Sequence, residues 1–552
     1  MTTFKPLPPY SKDELQQLYP ESLQLQLVQV ILRHGMECVC RSPVNFDCDV
    51  DIEQESVHPC RLDFEMYSHP LFLAHPIRPS IDTLRRPDFR HAQDWPYCKA
   101  AKFVTSTLID SNGGFDELKY RRRIETFGAD DSPAIAKGPE SEVDAICRPG
   151  ELTDEGRETT LALGQRLRRL YVDQLHFMPD LIHNTDSIYL RATPIPRALE
   201  SVQQTFAGMY PRSARTADFP PPIIFARSPA DETLFPNETN CRRFAQLARA
   251  FAQRAAGRWN ESDDMSYLNK VLGKWMPETS PRIAVDSHPR LSGIMDTVNS
   301  TLAHGPATRL PKEFYDPKVL AIIDKIGVEE WFAGYTESRE YRALGIGGLL
   351  GDIVGRMVEA TQGANHSGAT SNQNAIKLGL SGCHDTTLAG LLTSLGAFDG
   401  ERWPPYTSHI AMELFKQEAT PVTSSSSTSV DTPHTSKTWF SSLFPFLSSP
   451  LSTSADSIPR KPAAPLTPTQ SASLDPYFVR IRYNDRVMRV PGCAAPRNHL
   501  EGDASFCTLK AFKEIVDDFV PADWRRECGS NLDAAAFPVT KQPAGFPPTP
   551  ST

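Results

Sequence analysis

Three short clusters in this 552-residue sequence carry residue types that can move a phosphoryl group. Arg33-His34-Gly35 closes an apolar run at 23–32. A neutral imidazole can attack phosphorus, nearby guanidinium groups lower a histidine pKa and grip phosphate oxygens in pairs, and a glycine permits a sharp turn and close backbone approach. His384-Asp385 follows a second apolar run at 375–380. A carboxyl group beside a phosphate can give its proton to the leaving oxygen. Arg191 ends a third run at 186–190, in Arg191-Ala192-Thr193-Pro194-Ile195-Pro196-Arg197. Each cluster alone has a plain structural reading: a chance tripeptide, a His-Asp pair capping the helix that follows, a surface arginine. Three of them in order at strand ends are more specific, because ligands of α/β sheets bind outside the carboxyl ends of strands.

The elements that must position these clusters alternate between strand and helix. Residues 23–32, LQLQLVQVIL, begin as an alternation and end fully apolar, as a strand entering a buried sheet does. Residues 151–171 read as a helix, with Thr153 as N-cap and Asp154 and Glu155 in its first turn. A strand at 186–190, helices at 196–209 and 345–360, a strand at 375–380 and a helix at 387–395 continue the pattern. Strands at 409–416 and 478–483 close it. The fold class is therefore α/β, a mostly parallel sheet flanked by helices. Helical stretches at 242–254, 266–274, 292–303 and 317–332 form a block that reads as an inserted helical cap domain. Residues 99–108 read as a helix and 109–145 as loop.

The domain division that follows is a catalytic core at 20–215, holding an irregular insert at 44–94; a cap at 216–340; and a second core portion at 341–530. Residues 417–475, about 40 % Ser and Thr, read as a disordered insert, since such composition cannot bury enough apolar surface to offset chain entropy. An apolar island at 439–447 inside it reads as an incidental linker cluster or as a partner or membrane contact. The Pro-rich tail at 531–552 reads as disordered.

Composition excludes some functions. A net charge of −9 and a pI near 5.9 argue against a nucleic-acid partner, which needs a basic face, while leaving room for a local basic pocket. No run of 18 apolar residues is present, so no integral membrane segment is expected. The first residues are polar and Pro-rich, without the apolar core of a secretory signal or the pattern of a mitochondrial one, which sets the expectation on the cytoplasm. The 11 cysteines are too few for a disulfide-framed small domain. The sequence does not give an oligomeric state.

With these residues in place, the chain resembles the histidine acid phosphatase family, of the phosphoglycerate mutase-like fold. Arg33-His34-Gly35 and Arg41-Ser42-Pro43 resemble the two halves of its first motif, and His384-Asp385-Thr386-Thr387 its second. Leu152-Thr153, Gly156 and Leu163-Gly164 look like its intermediate block, and Arg191, Thr193, Arg197 and Ser201 its third arginine segment. Glu232-Thr233-Leu234-Phe235-Pro236-Asn237 also looks familial. The resemblance covers most of residues 20–530 and is nearest the lysophosphatidic-acid-phosphatase-like branch. It implies hydrolysis of small phosphate monoesters through a phosphohistidine on His34, with Asp385 as proton donor. Arg33, Arg41, Arg191 and His384 would hold the phosphoryl oxygens, with no cofactor and no metal. It places Cys493, Cys507 and Cys528 at positions disulfide-bonded in secreted relatives, and it admits a mitochondrial location.

Two departures stand out. Met36-Glu37-Cys38-Val39-Cys40 occupies a place where the family has a single residue, and 44–94 is longer than expected. If the stretched loop does not bulge outward, Glu37 faces the phosphate and repels it. That motivates an alternative: a catalytically impaired member that binds phosphorylated ligands or a protein partner.

Overall fold

The computed structural model describes residues 3–38, 95–128, 131–277, 280–362, 376–418, 458–462 and 464–548. Arg41, the insert at 44–94 and the apolar island at 439–447 lie outside the described residues.

Among the described residues, nine strands form the main sheet. They are β1 (Leu23–Arg33), β2 (Ile188–Ala192), β3 (Ile224–Phe225), β4 (Leu378–Cys383), β5 (His409–Gln417), β6 (Tyr477–Tyr483), β7 (Arg486–Met488), β8 (His499–Leu500) and β9 (Asp503–Thr508). Their order is β8-β9-β6-β5-β1-β4-β2-β3, with β7 on the side of β6. The half that carries the sequence clusters, β1-β4-β2-β3, is parallel, and β5 pairs with β1 antiparallel. β1 is buried along its last seven residues. Its alternation serves both faces: Leu27 and Ile31 join one apolar core, Val28, Val30 and Leu32 the other. Burial of each such side chain contributes about 1.5–3 kcal/mol, so the strand cannot slip by one residue without exchanging the faces of its whole apolar set.

The helices that flank the sheet start where capping chemistry begins. α1 (Asp154–Arg168) opens on Thr153, whose hydroxyl accepts from the Gly156 N–H. α2 (Pro196–Met209) has proline at its first position, where no backbone donor is needed. Helices α3 (Arg242–Trp259), α4 (Asp263–Leu272), α5 (Leu291–Ala303) and α6 (Pro317–Glu337) follow. They share an apolar core of their own, with Trp259, Leu268, Ile294 and Ile326 in it. α7 (Gly348–Gln362), α8 (Asp385–Ser394) and α9 (Leu509–Asp517) complete the layers. Among the described residues, no helix is long and apolar enough to cross a membrane.

The structure corrects four expectations. Residues 99–108 are not one helix: a short turn at Lys99–Lys102 leads into a strand, Phe103–Ile109, paired with Phe115–Arg121. The β-branched Val104, Thr105, Thr107 and Ile109 favour that extended form. A second small hairpin pairs Glu125–Phe127 with Pro133–Ile135, so 109–145 is not merely loop. The Pro-rich tail is docked through residue 548. Arg243 donates to the carbonyls of Ala534 and Ala535, Phe537 packs on Phe251, and Gly545 accepts from Gly492 N–H. The end of the Ser/Thr-rich insert is likewise built in, through the Arg460–Asp352 ion pair and the helix Pro468–Leu474.

Among the described residues, three disulfides staple these layers: Cys98–Cys147, Cys241–Cys528 and Cys493–Cys507. Cys241–Cys528 spans 287 residues and ties the start of α3 to the C-terminal region. Cross-linking ends so far apart restricts the unfolded chain most. The double variant Cys241→Ser/Cys528→Ser should lose about 2–5 kcal/mol of stability, seen as a lower urea midpoint, whereas an unchanged midpoint would show the link is idle.

Candidate active site

The parallel register sets the carboxyl ends of β1 and β4 side by side: Arg33 lies opposite Cys383, so His34 and His384 emerge together. Their rings meet edge to face at 5.4 Å between centroids. Both are buried. Burial, together with Arg197 and Arg33, holds both imidazoles below their ordinary values, His384 at about 3 and His34 well down. Both are therefore neutral near neutral pH. The Nδ1–H of His34 donates to the carbonyl of Gly35 at 2.8 Å, which leaves the lone pair on Nε2. Toward that lone pair points the Nε–H of Arg197, 3.3 Å away.

Asp385 opens α8, directly after β4. Its Oδ2 meets Arg33 Nη2 at 2.9 Å and accepts from the indole N–H of Trp403 at 2.9 Å. Its Oδ1 accepts from the Thr386 backbone N–H. Burial pushes this carboxyl up, but Arg33, Trp403 and Thr386 outweigh it and hold it below the ordinary carboxylate value. Arg33 is fixed in turn by the carbonyl of Pro404 and by the face of Tyr406, 4.0 Å from its guanidinium carbon.

The loop after His34 is clamped by backbone contacts. Gly35 N–H donates to Ser201 Oγ, which donates to the carbonyl of Arg197 one turn earlier in α2. Residues 36–38 run against 150–153: Thr153 N–H donates to Met36 O, and Cys38 N–H to Glu151 O. Gly35 and Gly156 touch so closely that a Cβ on Gly35 would lie 2.2 Å from Gly156 O, and one on Gly156 2.2 Å from Met36 O. This clamp turns Glu37 inward. Its carboxylate sits 2.9 Å from Arg197 Nε and 3.9 Å from His34 Nε2. Burial pushes it up to about 7 despite Arg197, and Asp296 adds to the rise. Asp296, from α5, accepts from Tyr406 and faces Arg33; burial raises it too.

The sequence-selected residues thus divide. Arg33, His34, His384 and Asp385 are brought together. Arg41 lies outside the described residues. Arg191 is turned elsewhere: its Nη2 pairs with Glu232 Oε1 at 2.5 Å and donates to Thr233, and its Nη1 lies 3.7 Å from Asp352. The arginine set on His34 is instead Arg197, in the first turn of α2. Glu232, buried under the strand ends, captures the Arg191 guanidinium, whereas α2 aims its N-terminus at the pocket, the favourable end for an anion. Arg197 stood within the arginine segment read from the sequence. Trp403, Tyr406 and Asp296 carried no signal, since each arrives from a distant stretch.

A family model described as histidine phosphatase superfamily (branch 2) matches residues 24–432. The chain belongs to that superfamily. The resemblance read from the sequence is borne out at family level, and with it a phosphatase-type hydrolase on an α/β fold. A probable acid phosphatase of Schizosaccharomyces pombe is 33 % identical over 511 residues, 92 % of this chain and 95 % of that one. Human lysophosphatidic acid phosphatase type 6 is 29 % identical over 272 residues, 48 % of this chain and 57 % of its own length. Among solved structures, the apo form of Hafnia alvei phytase aligns with a TM-score of 0.48 at 13 % identity, over 92 % of this chain and 99 % of that one.

The glycine contact yields a test. Gly156→Ala must push the loop off α1, and a shift near 1 Å at reacting groups costs about 10²-fold in rate. Phosphatase kcat/KM should fall by that order. Gly257→Ala in α3, where a Cβ meets nothing within 4 Å, should leave it unchanged. Equal activity of the two variants would contradict the clamp.

Proposed function

We propose that this chain hydrolyses phosphate monoesters through a phosphohistidine on His34, with Asp385 as proton donor. The observation that carries the reading is the His34 imidazole. It is neutral, tied at Nδ1 to Gly35, and presents the Nε2 lone pair beside Arg197. Arg33, Arg197 and His384 would hold the phosphoryl oxygens, supplying the charge stabilisation the transition state needs. Nε2 attacks phosphorus, the ester P–O bond breaks, and the Asp385 proton passes to the leaving oxygen. Water then attacks phosphorus, giving a proton to the Asp385 carboxylate; the P–N bond breaks, its electron pair returns to His34 Nε2, and inorganic phosphate leaves. In the resting site Arg33 favours ionised Asp385. A phosphoryl group that draws Arg33 to itself weakens that hold and favours the protonated donor. The scheme needs no cofactor.

For the substrate, a lysophosphatidate-like monoester is the reading favoured by the lysophosphatidic acid phosphatase relatives. Half-buried Trp403 and Phe235, whose ring lies 6.2 Å from that of His384, would suit a leaving group with apolar parts. The three disulfides support an oxidising compartment, since such bonds are rare in the cytosol. A second reading, a member that binds phosphate but does not turn over, draws on the Glu37–Arg197 contact. It requires an inactive wild type that deletion of residues 37–40 rescues.

Leaving-group dependence tests the roles. His34→Ala should abolish turnover, a loss of about 10³-fold or more. Asp385→Asn should lose about 10²–10⁴-fold on an alkyl phosphate and far less on p-nitrophenyl phosphate, whose phenolate needs no proton. An equal loss on both esters would remove Asp385 from the donor role.

A further inference from the structure

We propose that Glu37 is a specificity-determining residue of the phosphate pocket: its carboxylate holds Arg197 against incoming anions, and a phosphoryl dianion takes that arginine only when Glu37 carries a proton. The inference rests on the phosphatase reading above.

Among the described residues, two guanidinium groups, Arg33 and Arg197, face three carboxylates, Glu37, Asp296 and Asp385. The histidines between them are neutral. With all three acids ionised these groups together carry one negative charge more than positive ones. A dianion entering it meets repulsion that burial leaves poorly screened. Glu37 is the acid best placed to relieve this. Its Oε2 lies 2.9 Å from Arg197 Nε and its Oε1 3.9 Å from His34 Nε2, so it stands where a phosphoryl oxygen would bridge the same two groups.

The groups facing Glu37 come from every neighbouring element. Arg33 and His34 end β1, and Arg197 opens α2. Asp296 comes from α5, Asp385 follows β4, and Tyr406 precedes β5. Along 150–153 the loop is held through the Glu37–Leu152 backbone bridge and the Thr153 hydroxyl, which donates to Met36 O. Arg33 favours ionised Glu37; Asp296 and Asp385 favour the neutral form, as does burial, and the balance lies at about 7. Neutral Glu37 loses its hold on Arg197 and keeps an O–H that can donate to a phosphoryl oxygen. One residue thereby changes from competitor to ligand by taking up one proton. In the empty pocket Asp385 is held low by its donors, and the proton it gains when an anion draws Arg33 away is common to wild type and Glu37→Gln.

Binding of tungstate, a tetrahedral dianion between about pH 6.5 and about pH 8.5, tests this without turnover. Above the Glu37 midpoint, wild-type affinity should fall about tenfold more per pH unit than that of Glu37→Gln, the slope of one linked proton. Calorimetry in two buffers of different ionisation heat should register close to one proton more taken up by wild type than by Glu37→Gln. Glu37→Gln should bind more tightly at the alkaline end. Asp296→Asn should keep the wild-type slope. A Glu37→Gln slope equal to that of wild type, or tungstate binding in neither protein, overturns the inference. If p-nitrophenyl phosphate is still hydrolysed and His34→Ala is inactive, the phosphatase reading survives that failure. If wild type is inactive at every pH while Glu37→Gln binds tungstate with the shallower slope, Glu37 keeps its role and the turnover scheme falls.

Discussion

The ion pair between Arg33 and Asp385 is the contact on which the site depends. Taking two charges out of water costs several kcal/mol per ion, so the pair persists only where both ends are fully held. Asp385 sits in the first turn of α8, where the helix favours negative charge, and accepts from Trp403 and Thr386. Arg33 lies on Tyr406 and donates to Pro404. The pair can form at all because β1 and β4 are parallel neighbours in a register that brings Arg33 level with Cys383. One sheet pairing therefore joins two clusters that are about 350 residues apart in the sequence.

The same arrangement explains how an acidic chain can hold an anion. The net charge of −9 is a property of the whole surface, while the pocket has, among the described residues, two guanidinium groups at strand and helix ends. Their balance with three carboxylates is close, and burial magnifies each member of it. Lowered imidazoles and raised Glu37 and Asp296 are one phenomenon: burial disfavours each charge by more than its near partners return. The glycine contact between residues 35 and 156 keeps Glu37 inside this balance, because the loop that carries it cannot move away from α1.

Much of the fold was legible because periodicity reports burial. The helix at 196–209 emerged with the bounds of α2, since proline marks its start and Ala198, Val202 and Phe206 line its buried side. β1 was legible from its apolar run. The strand at 103–109 was missed because exposure on both sides leaves no alternation to read, and only its β-branched content announced it. The docked tail was hidden for another reason. Arg243 holds it through backbone carbonyls, which every sequence possesses. In the site, residue type identified His34, Arg33, His384 and Asp385, but not which of two arginines in one segment would reach them. Glu232 decides that by capturing Arg191, and the partnership joins residues on different elements. Trp403, Tyr406 and Asp296 were out of reach for the same cause.

The central claim is that His34 Nε2 is the attacking atom, and direct capture of the phosphoenzyme tests it. During turnover of p-nitrophenyl phosphate, an alkaline quench, under which phosphohistidine survives, would be followed by peptide mass spectrometry. The account predicts a phosphoryl group on the peptide containing His34, localised to that residue, and none in His34→Ala. Phosphate release with no phosphoenzyme, or with the phosphoryl group on any other residue, would contradict it.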